Sequence, residues 1–327
     1  MKAVIRTRYG PPDVLQVKEI PVPAPAENEV LVNVRASSLN KADMFQLRPP
    51  LLVRLLIGGD GRIKPKRQVF GMDLAGVVEA VGAVAKRFKP GDEVFGCSSA
   101  AFAEYACARE DSLALKSQRA TFEDSASLPV AGITALQALR KAKVQRGQRV
   151  LIDGASGGVG TFALQIAKSL GADVTAVCSA RNMENVKSMG ADRVIDYTKQ
   201  DFAKEGQTYD TIVEVNGYRS LLTYRRALND KGIYMLAGSS KPLRQIFQAA
   251  LLGRALSRKG GRQMGFMGIA KVNPEDLTTL MHLLEVGKVK PSIDAIYPLT
   301  ETAEAFRYFA EGHTRGKVVL TTAGRGS

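Results

Sequence analysis

Apolar and polar positions change their period near residue 122. Before it, short segments alternate. Val30-Leu31-Val32-Asn33-Val34-Arg35-Ala36 has the two-residue period of a half-buried strand, and 71–81 is a second such segment. Lys89-Pro90-Gly91-Asp92 sets a Pro-Gly turn before a third, while 21–25 and 28–29 read as loops. This part predicts a β-rich, barrel-like domain. Beyond it, 125–128 and 132–139 follow a helical period. Strands at 149–153, 173–178, 193–196, 210–215 and 232–237 then alternate with helices at 159–170, 182–189 and 219–228, and Asn229-Asp230-Lys231-Gly232 is the turn before the last strand. That order predicts an α/β fold with a parallel, doubly wound sheet. The stretch from Asn273 to Leu320 predicts two helices and a last strand that return to the first domain. The expected division is 1–123 with 268–327, and 124–267.

The run Asp153-Gly154-Ala155-Ser156-Gly157-Gly158-Val159-Gly160-Thr161 lies between strand and helix, with Val159, Phe162, Ala163, Ile166, Ala167 and Leu170 on one apolar helix face. Glycines there let a backbone approach a pyrophosphate, which the open N–H groups and dipole of the helix then hold. An NAD site places an acid at the tip of the next strand, for the ribose 2′-hydroxyl. Here the tip reads Cys178-Ser179-Ala180-Arg181-Asn182, with no acid before Glu184. A hydroxyl and a guanidinium suit a 2′-phosphate, so NADPH is the expected cofactor. The plainer reading of Arg181 is a solvated charge at a helix start. The same letters also satisfy G-x-S-x-G, the nucleophile elbow of serine hydrolases, with Ser156 as nucleophile and His282 or His313 as base.

Length and composition limit the rest. A chain of 327 residues exceeds one usual core, and 45% apolar content is that of a globular protein. No window resembles a membrane span, and the start lacks a signal-peptide plan. Cys97, Cys107 and Cys178 form no disulfide pattern, which suits a reducing, cytoplasmic setting. The net charge of +14 is uneven. Seven basic residues and no acid fall in 241–271, and six face a lone Asp60 in 48–67. Such patches are either solvated faces or attract nucleic acid, membrane or an anionic substrate. The amphipathic segment 246–256, flanked by cations, either packs over a substrate cleft or meets a membrane. A nucleotide-binding protein acting through such a partner is therefore an alternative to an enzyme.

Seven collinear blocks carry a family resemblance: 37–43, 71–82, 88–94, 131–139, the glycine turn, Val194-Ile195-Asp196-Tyr197, and 312–319. In this order they resemble the medium-chain dehydrogenase/reductase superfamily, and within it the zinc-free quinone oxidoreductase-like branch. The resemblance implies a GroES-like β-rich domain plus a Rossmann domain, and a homodimer joined through the Rossmann sheets. It implies that Ser156, Gly157, Gly158 and Val159 hold the pyrophosphate of NADPH, and that Ser179, Arg181 and Tyr197 surround its 2′-phosphate. Asn40 and Thr134 would lie near the nicotinamide as the catalytic pair, and Phe266, Met267 and Lys317 would also touch the cofactor. Asn40 reads equally as a loop tie. Thr134 reads equally as a helix cap, and Tyr197 as packing at a strand end.

Zinc-dependent relatives carry Cys where Asn40 stands and His-Glu where Met72-Asp73 stands; three scattered cysteines and two late histidines predict no zinc. Without a Lewis acid, a quinone or an α,β-unsaturated carbonyl is the easier substrate, because hydride addition spreads the new charge over a phenolate or enolate. The Asn40 amide, with Lys41 or Thr134, would meet that oxyanion, and solvent would deliver the proton.

Overall fold

Lys2–Arg6 (β1) and Leu15–Glu19 (β2) pair as an antiparallel ribbon, Lys2 opposite Glu19. The ten-residue β3 (Glu29–Ser38) organises the first sheet. Its whole length pairs on one edge with β4 (Asp73–Val81). The other edge is shared: its N-terminal half takes β6 (Tyr105–Arg109) and its last residues take the final strand described below. β5 (Glu93–Cys97) and β7 (Leu113–Leu115) extend the sheet beyond β4. Val30, Val32, Val34 and Ala36 of β3 are buried while Asn33 is half-buried and Arg35 exposed, as the alternation predicted, and Leu31 is buried on the other face. The computed structural model describes residues 1–51, 61, 63–217, 219–238, 257 and 261–322. Most of 239–260, including the amphipathic segment 246–256 and five of the seven cations of the basic stretch, lies outside the described residues, as do 52–60 and Arg62.

Among the described residues three α-helices punctuate this part: α1 (Lys41–Leu47), α2 (Phe122–Ser127) and α3 (Pro129–Lys141). The latter two begin earlier than their apolar period announced. Thr121 caps α2 by accepting from the Asp124 N–H, and Pro129 opens α3. Phe70, Phe102 and Phe306 pack as a triad with centroids 5.1–5.9 Å apart. Gly71 sits against it with φ of +106°, and a Cβ there would meet the Phe102 ring at 2.6 Å.

The second sheet is parallel throughout. Its strands are β8 (Arg149–Asp153), β9 (Asp173–Cys178), β10 (Arg193–Asp196), β11 (Tyr209–Glu214), β12 (Leu228–Leu236) and β13 (Gln263–Phe266). Their spatial order is β10-β9-β8-β11-β12-β13. Counted from β8 this is 3-2-1-4-5-6, the doubly wound order, and its switch point opens beyond the carboxyl ends of β8 and β11. Helices α4 (Gly158–Ser169), α5 (Met183–Ser188) and α6 (Leu221–Ala227) lie between the strands in sequence. β12 differs from expectation. Tyr209 pairs with Leu228 and Thr211 with Ile233, so Asn229–Gly232, expected as the turn, form a bulge within the strand, where Asn229 donates to Asp210.

The chain then adds α7 (Pro274–Glu285), a strand the pattern did not announce, β14 (Ile293–Pro298), α8 (Thr302–Ala310) and β15 (Lys317–Thr321). β14 runs parallel to β15, and β15 joins β3, as the returning last strand was expected to do. Contacts divide the molecule into two compact units: Met1–Val130, Val272–Val286 and Ile293–Ser327; and Ala131–Lys271 with Gly287–Ser292.

Two glycines of the turn differ in what surrounds them. A Cβ on Gly160 would lie 2.1 Å from the Gly154 carbonyl and 2.8 Å from Ala155 Cα, whereas one on Gly157 would meet nothing closer than 3.8 Å. Gly160→Ala should therefore cost about 1–3 kcal/mol of stability by overpacking. Gly157→Ala should cost less than about 1 kcal/mol, for a poorer N-cap. Thermal unfolding followed by circular dichroism compares them, and equal melting points would contradict the close approach.

Candidate functional site

In the second unit the turn after β8 is fixed before any ligand arrives. Gly154, at φ +93°, and Ala155 both donate to the Val177 carbonyl, and Gly157 donates back to the Gly154 carbonyl. Gly157 is the N-cap of α4 and offers no side-chain cap, so the N–H groups that open the helix at Gly158 and Val159 stay available to an anion. Ser156, Gly157, Gly158 and Val159 are half-buried at this point. The turn rests on a polar floor that local sequence could not announce. Asp153 is 4% exposed, and the Tyr224 hydroxyl donates to its Oδ2 at 2.7 Å, with Arg219 4.0 Å away. Burial raises the Asp153 pKa and pushes the Tyr224 phenol up.

The tip of β9 carries the residues expected for a 2′-phosphate. Ser179 is half-buried and Arg181 exposed in a short 3₁₀ turn, and Tyr197, 41% exposed, follows β10 and donates its N–H to the Cys178 carbonyl. No acid occurs between Cys178 and Asn182, and Asp196 on the neighbouring tip is tied to the Thr198 N–H and hydroxyl. Between Ser156 and Ser179 stands Asn182, which the sequence did not single out. Its buried amide donates to both serine hydroxyls, at 3.0 and 3.2 Å. Phe266 ends β13, and the buried Met267 follows it, with its carbonyl accepting from the Lys141 ammonium at 2.5 Å.

Ser156 is not built as a nucleophile. Lys143 is the one non-glycine residue with positive φ among the described residues, so Ser156 lacks the strained backbone of an elbow. The hydrolase reading is thereby corrected.

The first unit holds a buried ionic cluster. Asn40 caps α1 and is 7% exposed. Its Nδ2 donates to Asp73 Oδ2 at 2.9 Å and, at a marginal 3.4 Å, to the Ser38 carbonyl. Lys317, 2% exposed, gives its three ammonium hydrogens to Asn40 Oδ1 (2.7 Å), the Leu39 carbonyl (3.1 Å) and Asp73 Oδ2 (3.2 Å). Asp73 also accepts from Ser38 Oγ (2.8 Å) and the Val130 N–H (3.0 Å). Asp43, fully buried, accepts the Asn40 N–H at 2.8 Å, and its other oxygen has no partner. Burial, then the charge of Asp73, pushes the Asp43 carboxyl up to about 7. Burial likewise pushes the Cys97 thiol up, keeping it neutral. Lys317 thus stands among the buried acids of the first unit. Thr134, in the second turn of α3, belongs to the second unit and is no helix cap.

This donor set does not fit zinc. A cation already holds the oxygens of Asn40 and Asp73, Cys97 is neutral, and among the described residues no cluster of three His, Cys, Asp or Glu side chains can bind a metal. Nor is any helix among them long and apolar enough to cross a membrane.

Comparison with known proteins agrees with this geometry. Residues 26–138 match the model of the alcohol dehydrogenase GroES-like domain, and residues 189–320 match that of the zinc-binding dehydrogenase family. The chloroplast envelope quinone oxidoreductase homolog of Arabidopsis thaliana is 33% identical over 94% of this chain and 93% of its own. The NADPH-dependent alkenal/one oxidoreductase of the same plant is 32% identical over 98% of this chain and 79% of its own. The solved quinone oxidoreductase of Coxiella burnetii superposes with a TM-score of 0.86 at 29% identity, covering 99% of both chains. The chain belongs to the medium-chain dehydrogenase/reductase superfamily, in its zinc-free quinone oxidoreductase-like branch, and is an oxidoreductase.

Proposed function

We propose that the enzyme reduces quinones and α,β-unsaturated carbonyls with NADPH and without zinc. The observation that carries this reading is the Lys317 ammonium bonded to both Asn40 and Asp73, where a metal would need open donors. The relatives named for quinones and for alkenals and enones support the substrate class, and the acid-free Ser179/Arg181 tip supports a 2′-phosphate. When bound, NADPH supplies the hydride.

The chain's own residues bind and orient. The amides opening α4, with Ser156, take the pyrophosphate, while Ser179, Arg181 and Tyr197 take the 2′-phosphate. Phe266 and Met267 would flank the remainder, and Thr134 would supply a donor toward the nicotinamide from the second unit. Asn40 has one amide hydrogen in a good bond and one held only by the marginal Ser38 contact, so the second can turn to meet an oxyanion. Lys317 acts through it: an ammonium on the amide oxygen polarises the amide and strengthens its N–H as a donor. A delocalised enolate or phenolate needs no more than such oriented donors. Three unpaired thiols suit a reducing compartment such as the cytoplasm. β13, whose one partner among the described residues is β12, offers an edge for a homodimer.

Purified enzyme should oxidise NADPH with quinones and enones, spare simple ketones, and keep its turnover after exhaustive chelation. Ketone reduction abolished by a chelator would overturn the reading. Arg181→Ala should raise the Kd for NADPH about 10-fold or more, the range of a lost charged hydrogen bond, and leave NADH within about 2-fold; equal losses for both would remove Arg181 from the 2′-phosphate site. Asp43 gives a pH test. With its carboxyl at about 7 in the fold and near 3.8 unfolded, the native state holds a proton across that interval that the unfolded chain releases. Its contribution is therefore full below the unfolded value and is lost as pH rises through the folded one. The melting advantage of wild type over Asp43→Asn, which can still accept the Asn40 N–H, should shrink from pH 4 to pH 8. A constant difference would contradict the raised value.

A further inference from the structure

Two serine hydroxyls from separate turns meet one buried amide. Asn182 is 3% exposed, and its Nδ2 lies 3.0 Å from Ser156 Oγ in the glycine turn and 3.2 Å from Ser179 Oγ at the end of β9. A hydroxyl that accepts a hydrogen bond keeps its own proton to give. Among the described residues neither serine hydroxyl donates to a protein acceptor, and both serines are half-buried. The amide oxygen of Asn182 is buried without a partner, so the side chain is held in place by what its nitrogen does. An unpaired buried oxygen is costly, and a plain structural residue would gain nothing from that arrangement.

We propose that Asn182 is a positioning residue for the phosphorylated dinucleotide. By donating to both serines it turns both hydroxyl protons outward as donors to anionic oxygens, Ser156 to the pyrophosphate and Ser179 to the 2′-phosphate. The inference rests on the reading of the second unit as an NADPH site. It explains why an amide stands there and not a carboxylate. An aspartate would accept from both serines, draw their protons inward, and add a charge of the same sign as the phosphates.

Calorimetric titration of the full chain with NADPH and with NADH tests this, using Asn182→Asp, Asn182→Ala, the double variant Ser156→Ala/Ser179→Ala, and that double variant combined with Asn182→Ala. Asn182→Asp should raise the Kd for NADPH about 30-fold or more, and that for NADH by several-fold less, because NADH lacks the 2′-phosphate. Asn182→Ala should weaken NADPH about 5–10-fold alone but less than about 2-fold in the serine-free background, since residues acting as a unit are not additive. A full-size loss in that background, or an Asn182→Asp protein that binds NADPH as wild type does, overturns the role. Should the Asn182 variants melt early, the single variants Ser156→Ala and Ser179→Ala decide: each should weaken NADPH about 3-fold or more at an unchanged melting temperature, and wild-type affinity in both overturns it. No heat from wild type with either dinucleotide would overturn the NADPH site and Asn182 together, whereas NADPH binding equal in every variant overturns Asn182 alone.

Discussion

The Lys317 ammonium is buried at 2% exposure, where an uncompensated charge would cost several kcal/mol. It survives because each of its hydrogens has a carbonyl, amide or carboxylate oxygen within 3.2 Å. The contact joins three places in the chain. Leu39 and Asn40 lie between β3 and α1, Asp73 opens β4, and Lys317 itself opens β15. One ionic contact therefore pins the returning end of the chain to the start of β4, beside the end of the strand that organises the first sheet. Replacing the lysine by an uncharged residue would leave a buried carboxylate without its cation, which is worse than losing both.

The same contact sets the chemistry. An ammonium in that place is a fixed, saturated cation. Unlike a metal it has no open position for a substrate oxygen, so it can act only through the groups it touches. Among those groups Asn40 is the one that, on the proposed reading, would pass its influence to a substrate. A localised alkoxide asks for more than a polarised amide gives, whereas a charge shared over a conjugated system does not.

Legibility in the sequence divided along range of interaction. The strand, glycine turn and helix at 149–170 are written in neighbouring letters, and β8, β9 and β10 occupy the stretches that the pattern marked. The missing acid at the β9 tip is equally local. What escaped depends on residues far apart in the chain. Lys317 and Asp73 are separated by 244 positions and Tyr224 and Asp153 by 71, and neither pair has a local signature. Asn182 was visible as a letter, but its meaning lies in two hydroxyls that only the fold brings to one nitrogen. β14 shows only a weak pattern, half-buried along most of its length, so its pairing with β15 supplies the definition that periodicity lacked. The bulge in β12 looked like a turn because Asn, Asp and Gly are turn formers, and here they serve an irregular strand instead.

One apparent contradiction in the second unit resolves through the same reasoning. Three strands end in acids at the crest where an anion is to bind: Asp153 on β8, Asp196 on β10 and Glu214 on β11. Bare carboxylates there would repel phosphate. Each is instead engaged from the protein side, Asp153 by the Tyr224 hydroxyl, Glu214 by that of Tyr234, and Asp196 by Thr198. The two tyrosine rings lie 5.0 Å apart and Tyr224 stacks on Phe202, so the donors are held by apolar packing that a ligand does not disturb. Burial also raises the proton affinity of Asp153, directly beneath the glycine turn. Above this floor the donors face outward: helix N–H groups, two serine hydroxyls and a guanidinium. The acids pin the strand ends, the donors would bind the anion on the proposed reading, and the hydrogen-bond direction of each group keeps the two tasks apart.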